Sequence, residues 1–254
     1  MARYFIEVAY KGTRYSGFQV QDNAVTIQSE IEKAFQTLHR MPVRLTGSSR
    51  TDSGVHALQN FFHFDFDRAV HPQAVYKLNA ILSKDIVVRN LYQLHAEAHS
   101  RFDATSREYL YRIHRFKNPF LQDTSLYYPY DINIDLLQKG ASYIAGQHNF
   151  YAFSKTNTQV KNFNCHIYQS YWTVDGESLA YHITGNRFLR GMVRIITATL
   201  LKYARRKISD QEFENLFSQE KNGGHSAPAH GLYLKKVEYP ENYFSASIKH
   251  FTAF

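Results

Sequence analysis

One stretch of the chain reads Gly47-Ser48-Ser49-Arg50-Thr51-Asp52-Ser53-Gly54-Val55-His56-Ala57 and lies between two apolar segments, 43–45 and 61–66. Small and polar residues dominate this stretch, which predicts an ordered loop rather than the interior of a helix or strand. Arg50 and Asp52 are separated by one residue. In an extended segment that spacing places both side chains on the same face.

Asp52 is the residue of the loop with the widest range of possible roles. A neighbouring guanidinium stabilises the charged form of a carboxylate, so Arg50 would keep Asp52 ionised. An ionised aspartate on a tight loop can act as a nucleophile, as a general base or as a structural anchor of a turn. Local chemistry alone favours the structural anchor.

Composition and charge indicate a globular protein with an anionic partner. The 254 residues are enough for one large domain or two modest ones, and 44% of them are hydrophobic. The formal net charge is +8, the pI is about 9.4 and 15% of the residues are aromatic. Basic and aromatic side chains together suit RNA with unstacked bases, although rings in a strand-rich protein more commonly belong to the core.

Targeting and metal signals are weak in this sequence. The single cysteine, Cys165, excludes an internal disulfide framework and fits a reducing cytosol. We find no signal-peptide pattern and no apolar run that could span a bilayer, so we expect a cytoplasmic protein without membrane contact. His95 and His99 are four residues apart but do not form an H-E-x-x-H motif, and we expect no metal site.

Strand and helix patterns alternate in two comparable cycles, which predicts an α+β protein of two similar halves, 1–100 and 101–254, that share a mostly antiparallel sheet. Strands are predicted at 4–10, 43–45, 62–66, 86–91, 107–114, 166–174, 179–184 and 232–239. Helices are predicted after an N-cap at Thr26, from Pro72, after an N-cap at Asp135, over 189–200 and after a capping box at Ser209. Glu32 is predicted on the solvent side of its helix.

The loop sequence resembles the signature G-R-T-D-A-G-V-H-A of the TruA-type tRNA pseudouridine synthases, matched by residues 49–57. Four further blocks are similar to that family's motifs and follow the same order: 10–19, 101–109, 186–194 and 227–234. The resemblance therefore spans nearly the whole chain. Ser49 and Ser53 stand where the family usually has Gly and Ala, and these small-for-small changes remove no chemistry. Phe18 replaces the usual Trp and Lys11 the usual Asp. Ser83, where proline is usual, and the Cys165-His166 pair lie at peripheral positions and bear on target-site choice more than on chemistry.

The resemblance implies a specific activity and architecture. Such proteins isomerise uridine to pseudouridine at positions 38 to 40 in the anticodon arm of tRNA, without metal or organic cofactor. They carry a basic cleft between two halves and bind tRNA as homodimers. The target base must be flipped out of its stem before it can react.

The family assigns the central chemistry to Asp52, which acts as nucleophile or base on the target nucleoside. Arg50 would fill the vacated stack or steady the flipped nucleotide, with a plain phosphate contact as the alternative. Arg194 would pair with Asp52 and keep it ionised, although an exposed helix cation is the simpler interpretation.

Four further positions are expected to contact the substrate. Tyr109 would stack on the flipped uracil and Leu232 would form an apolar wall, but both are equally consistent with core positions. Gln19 and Arg14 would bind the RNA. The basic run 202–207 is either a solvated helix end or a contact to the tRNA backbone.

Two other functions fit the same residues. The chain could bind RNA without catalysing a reaction on it, with Asp52 retained for structure, or it could hydrolyse nucleosides with the Asp52 carboxylate. Formation of pseudouridine, binding without reaction, and release of free uracil distinguish the three.

Overall fold

A computed structural model describes residues 1–155, 160–218, 224–245 and 248–252. The chain divides into two compact units. Unit 1 consists of Met1–Thr105 with Leu234–Phe254, and unit 2 consists of Ser106–Tyr233. The chain therefore leaves unit 1 once and returns to it after completing unit 2.

The secondary structure alternates between strands and helices. The strands are β1 (Ala2–Tyr10), β2 (Thr46–Gly47), β3 (His56–Phe66), β4 (Ile86–Leu94), β5 (Ser106–His114), β6 (Leu126–Tyr127), β7 (Gly146–Asn149), β8 (Asn164–Asp175), β9 (Ser178–Gly185), β10 (Leu232–Glu238) and β11 (Ile248–Thr252). The helices are α1 (Ile27–His39), α2 (Ala74–Ile81), α3 (Ile134–Ile144), α4 (Met192–Ala204) and α5 (Asp210–Asn215).

Unit 1 is built on a sheet with the strand order β11-β4-β1-β3-β10, and β2 pairs with β3. β1 runs antiparallel to both β3 and β4. Ile6 and Val8 on one face of β1 and Phe5 on the other are fully buried. The rings of Tyr239 and Phe244 lie 6.0 and 6.2 Å from that of Phe5, so the segment after β10 covers this second face. Burial on both faces makes β1 the centre of the unit.

Helix α1 follows the sequence pattern closely. The Thr26 side chain accepts a hydrogen bond from the Ser29 backbone N–H at 3.2 Å, and the Ser29 hydroxyl satisfies the Thr26 N–H at 3.0 Å. This reciprocal capping fixes where the helix starts. Its apolar stripe is buried, as predicted: Ile27, Ile31, Ala34 and Phe35. The helix ends at Arg40, whose φ of 55° is left-handed.

Unit 2 contains the sheet order β5-β9-β8-β7, with antiparallel neighbours, and β6 adds to β5 in parallel. Tyr111, Tyr181 and Ile183 are fully buried on one face of this sheet. Gln138 of α3 fixes that helix to β8, because its amide donates to the Trp172 carbonyl at 2.6 Å and accepts from the Trp172 N–H at 3.1 Å. The predicted mixed α+β class with mostly antiparallel strands is confirmed.

Several local predictions were wrong, each for an identifiable reason. α3 is capped by Asn133, whose side-chain oxygen accepts from the Leu136 N–H at 2.9 Å, and Asp135 lies in the first turn instead. Residues 43–45 form no strand. Glu32, predicted to face solvent, accepts the Leu45 N–H at 2.8 Å and so removes it from any strand ladder.

Other differences concern the ends and the number of elements. α2 begins at Ala74 rather than at Pro72, and the β8–β9 hairpin turns through Gly176-Glu177 rather than Asp175-Gly176. β6, β7 and β11 are short strands that the sequence pattern did not indicate. Within the described residues, no helix has the length and apolar character needed to cross a membrane.

Unit 1 contains a buried histidine that couples stability to pH. The Ser100 backbone N–H donates to Nδ1 of His63 at 3.2 Å, which requires that nitrogen to be unprotonated. Burial, with smaller contributions from Arg3 and His99, lowers the pKa of His63 to about 4. In the unfolded chain the histidine pKa is about 6.5. The contribution of His63 to the free energy of unfolding is therefore complete above that pH and declines as the pH falls toward 4.

We therefore expect the free energy of unfolding in urea to fall by about 2–3 kcal/mol from this group between pH 7 and pH 4. A His63→Gln variant is expected to be less stable at pH 7 and to show a shallower decline with pH. His225→Gln, at an exposed position, serves as the control and should keep the wild-type slope. An unchanged slope in His63→Gln would contradict this account.

Candidate active site

The loop between β2 and β3 is held by the amide side chain of Asn60, which is fully buried in β3. Its oxygen accepts from the Ser48 hydroxyl at 2.8 Å. Its nitrogen donates to the Ser49 carbonyl at 3.1 Å and to the Tyr10 hydroxyl at 3.2 Å. One side chain therefore links β1 to the loop through three hydrogen bonds, and its removal would break all three.

A second buried contact continues this network. The Tyr10 hydroxyl lies 2.8 Å from Oγ1 of Thr51. Burial raises the pKa of Tyr10 to about 12, while its hydrogen bonds to Thr51 and Asn60 act in the opposite direction. Tyr10 is consequently a neutral hydrogen-bonding group at physiological pH, and its hydrogen bond holds Thr51 in place on the buried side of the loop.

The segment 12–18 packs along the other side of the loop. The Gly12 N–H donates to Nδ1 of His56 at 3.0 Å, so that nitrogen carries no proton and His56 acts as an anchor of the loop. A Cβ at Gly12 would lie 1.9 Å from the Val55 carbonyl oxygen, which leaves room for glycine alone. The Phe18 N–H donates to the Thr51 carbonyl at 3.1 Å.

Asp52 begins a tight turn. Its carbonyl accepts from the Val55 N–H at 3.1 Å, and Gly54 has a φ of 78°. A positive φ at the third residue alone is the requirement of a type II turn, and glycine meets it without steric cost. Thr51 and Val55 are buried, whereas Asp52 is half-buried and Arg50 is exposed. The main chain on both sides of Asp52 is thus fixed while its carboxylate retains access to solvent.

Arg14 and Gln19 are both exposed and belong to the segment that packs on the loop. The Arg14 guanidinium is paired with Asp85, with Nε 2.7 Å from Oδ2. This ion pair raises the pKa of Arg14, the hydrogen bond to Asp85 being the main cause. Unit 1 therefore brings Arg50, Asp52, Gln19 and Arg14 onto one connected set of loops.

Two departures from the family pattern in unit 1, Phe18 and Ser83, occupy packing positions. Phe18 is buried and stacks on Phe62 with ring centroids 4.6 Å apart. The Ser83 hydroxyl lies 2.7 Å from that of Tyr15. Neither position supplies a charge to the loop.

Unit 2 carries the other three predicted site residues. Tyr109 lies on β5 with 9% of its surface exposed, and its ring meets the edge of Phe188 at a centroid distance of 5.0 Å. Nη1 of Arg107 donates to the Asn186 carbonyl at 3.2 Å and so fastens the segment before α4 to the same strand. Tyr109 is therefore a strand tyrosine at the margin between core and surface.

Arg194, in the first turn of α4, is tied to the segment 227–231. Its Nε donates to the Ala227 carbonyl at 2.6 Å, and the Ala227 N–H donates to the Arg194 carbonyl at 3.0 Å. The Tyr111 hydroxyl donates to the Pro228 carbonyl at 2.8 Å. Leu232 follows this segment and is buried with 6% of its surface exposed. Pairing between Arg194 and Asp52 stays a prediction.

Sequence reasoning missed the anchors of the loop. Asn60 and Tyr10 are far apart along the chain and meet only because β1 and β3 pair. One signal was present, since Asn60 is an amide that directly precedes the apolar pair Phe61-Phe62 of the strand. Buried polar side chains are almost always hydrogen-bonded, so a buried Asn60 requires hydrogen-bond partners. Among the described residues, no group of three or more His, Cys, Asp or Glu side chains could hold a metal ion.

Comparisons with known proteins identify the family. A family model described as tRNA pseudouridine synthase matches residues 6–103 and 141–240. The chain is 38% identical over 248 residues to a protein named tRNA pseudouridine synthase A of Parabacteroides distasonis, covering 96% of this chain and 98% of the relative. It is 39% identical over 251 residues to one of the same name from Porphyromonas gingivalis, covering 96% and 100%.

A third relative of that name, from Bacillus licheniformis, is 39% identical over 240 residues, which cover 91% of this chain and 97% of the relative. A solved chain from a Cbf5-Nop10-Gar1 complex covers 78% of this chain and 54% of its own length, with 9% identity and a TM-score of 0.30. That structural similarity is too low to support a conclusion.

The anchoring network predicts that Asn60→Ala destabilises the protein strongly. Because three partners lose their hydrogen bonds in a buried site, the free energy of unfolding should fall by about 2–4 kcal/mol. Urea denaturation followed by fluorescence measures this. Ser53→Ala is the matched control in the same loop, since its hydroxyl makes one bond, to the Tyr15 carbonyl at 3.2 Å, and is exposed. Equal losses in the two variants would contradict the central role of Asn60.

Proposed function

The chain belongs to the tRNA pseudouridine synthase family, and from that premise we propose that it isomerises uridine in the anticodon arm of tRNA, at positions 38 to 40, with Asp52 as the catalytic carboxylate. The reaction breaks the N1–C1′ bond, turns the detached base and joins C5 to C1′. A proton leaves C5 and N1 gains one, so the product is an isomer of the substrate. No oxidant or co-substrate enters.

The observation that supports this proposal is a loop whose backbone is fixed by hydrogen bonds while Asp52 stays only half-buried. Fixed anchors on Ser48, Thr51 and His56 keep the backbone of Asp52 from moving when substrate binds. Catalysis gains most from groups that need no reorganisation at the moment of reaction. A carboxylate that served only to stabilise the turn would not need solvent access, because the turn is closed by the Asp52 carbonyl.

The remaining roles follow the family. Arg50 is exposed next to the acid and fills the place of the base that leaves the stack. Tyr109 stacks on the detached uracil, Leu232 forms an apolar wall of the base pocket, and Arg194 pairs with Asp52. Gln19 and Arg14 hold the RNA on the segment that packs against the loop.

The wider setting is proposed on the same ground. The net charge of +8 favours binding of tRNA by its phosphates. We expect the protein to act in the cytoplasm as a homodimer that binds one tRNA across both subunits, without metal or cofactor. The proposed halves 1–100 and 101–254 differ from the compact units in that the last strands return to unit 1.

Substitution of Asp52 by Asn keeps the size of the side chain and removes its charge and basicity. We expect Asp52→Asn to bind unmodified tRNA as wild type does while pseudouridine formation falls by at least about 1,000-fold. Chemical mapping of pseudouridine along the tRNA measures both the yield and the modified positions. Ser53→Ala, on the same turn, is the control and should remain active.

The same assay separates the competing functions. Binding without pseudouridine from either the wild type or Asp52→Asn would establish an RNA-binding protein with no synthase activity. Release of free uracil by the wild type would establish a nucleoside hydrolase. Wild-type yield from Asp52→Asn would remove Asp52 from the chemistry.

Arg50→Lys tests whether Arg50 acts by its shape or by its charge. A planar guanidinium can replace a base in a stack, whereas a lysine ammonium supplies only a point charge. We expect Arg50→Lys to bind tRNA within about twofold of wild type and to lose at least about tenfold in kcat. Full activity in Arg50→Lys, with loss in Arg50→Ala, would instead identify a phosphate contact.

A further inference from the structure

Unit 2 contains a cavity of about 470 Å³ at the far ends of two elements that also carry predicted site residues. Arg115 follows the last residue of β5, and Arg205 and Arg206 follow the last residue of α4. Along β5, Arg115 is about 20 Å beyond Tyr109. Along α4, Arg205 is about 16 Å beyond Arg194. The cavity is therefore distinct from the place where Tyr109 and Arg194 act.

The charge lining this cavity is mostly positive. Three arginines line it together with one carboxylate, Asp131. Nη2 of Arg115 is 3.6 Å from Oδ1 of Asp131, whose side chain is fully exposed, so solvent screens the pair. Nε of Arg115 is buried and has no hydrogen-bond acceptor among the described residues.

Aromatic rings hold the second arginine. The Arg205 guanidinium carbon lies 4.1 Å from the ring centroid of Tyr130, and Tyr130 meets Tyr128 edge to face at 5.0 Å. Tyr130 is half exposed. A cation–π contact of this kind restricts the conformations of the long arginine side chain without neutralising its positive charge. A planar guanidinium held in this way can donate two parallel N–H bonds to two oxygens of one phosphate.

Arg206 occupies a position that normally favours glycine. Its φ is 54°, in the left-handed region. The Arg206 N–H donates to the Tyr203 carbonyl at 2.9 Å, and the Lys207 N–H donates to the Lys202 carbonyl at 3.0 Å. This is the Schellman pattern that ends α4, with the left-handed residue usually a glycine. Arg40 ends α1 in the same conformation, so the strain alone does not single out Arg206; its position in the lining of the cavity does.

We propose that this cavity, lined by Arg115, Arg205 and Arg206, binds a backbone phosphate of the tRNA, apart from the reacting uridine. The inference rests on the proposed function for the identity of the RNA. It assigns the basic run 202–207 to RNA binding rather than to a merely solvated helix end.

The test compares two Arg→Gly variants in the same backbone setting. Arg206 and Arg40 both end a helix with left-handed φ values, 54° and 55°, so glycine relieves the same strain and removes the same charge. Neither variant should lower Tm. We expect Arg206→Gly to raise KM for tRNA about 5- to 10-fold with kcat unchanged. The slope of log affinity against log salt should shrink by about 1. Arg40→Gly should leave all three values as in wild type.

Three outcomes would overturn the inference. The first is a wild-type KM and salt slope in both Arg206→Gly and the double variant Arg115→Ala/Arg206→Gly. The second is an equal rise in KM in Arg206→Gly and Arg40→Gly, which would indicate net charge alone. The third is binding of inorganic phosphate that is lost in Arg206→Gly while tRNA affinity is unchanged. A wild type that binds tRNA but forms no pseudouridine would defeat the proposed function alone, because affinity and salt slope are measured on unmodified tRNA.

Discussion

The buried amide of Asn60 is the constraint on which the arrangement of unit 1 depends. An amide inside an apolar strand is costly unless its donors and acceptor are all used, and here they bind Ser48, Ser49 and Tyr10. Those partners belong to β1 and to the loop after β2. The loop therefore has one favourable path across the end of the sheet. In addition, β1 must pair with β3 in a single register, because only then does the Tyr10 hydroxyl reach the Asn60 amide.

Helix α1 extends this constraint to the rest of the unit. Its first N–H groups, those of Ile27 and Gln28, donate to the carbonyls of Gly17 and Phe18 at 3.2 and 3.0 Å. The Gln28 side chain donates to the Leu45 carbonyl at 2.9 Å, just before β2. The orphan donors of a helix N-terminus are thus satisfied by the segment that packs on the loop. A helix, a strand pair and two loops therefore share one hydrogen-bonded assembly.

Features that depend on neighbours along the chain were predictable from the sequence. The N-cap at Thr26, the capping box at Ser209, the strand β1 and the loop around Asp52 each follow from residues within a few positions of one another. The short strands β6, β7 and β11 did not follow, because each is stabilised by a partner strand rather than by its own pattern. The cap of α3 failed for a different reason. Asn133 and Asp135 are both good caps, and only the backbone conformation selects between them.

The candidate site shows the same division between local and distant information. Arg50 and Asp52 could be singled out from eleven residues of sequence, but the anchors Tyr10 and Asn60 could not, since they act through contacts made only after folding. Two departures from the family pattern, Phe18 and Ser83, lie at positions that pack near the loop. Phe18 replaces a larger ring but still stacks on Phe62, and Ser83 replaces a proline but gains a hydrogen bond to Tyr15. A position that supports the loop through packing can accept such changes when the contact is rebuilt, whereas the carboxylate of Asp52 has no equivalent among the small polar residues around it.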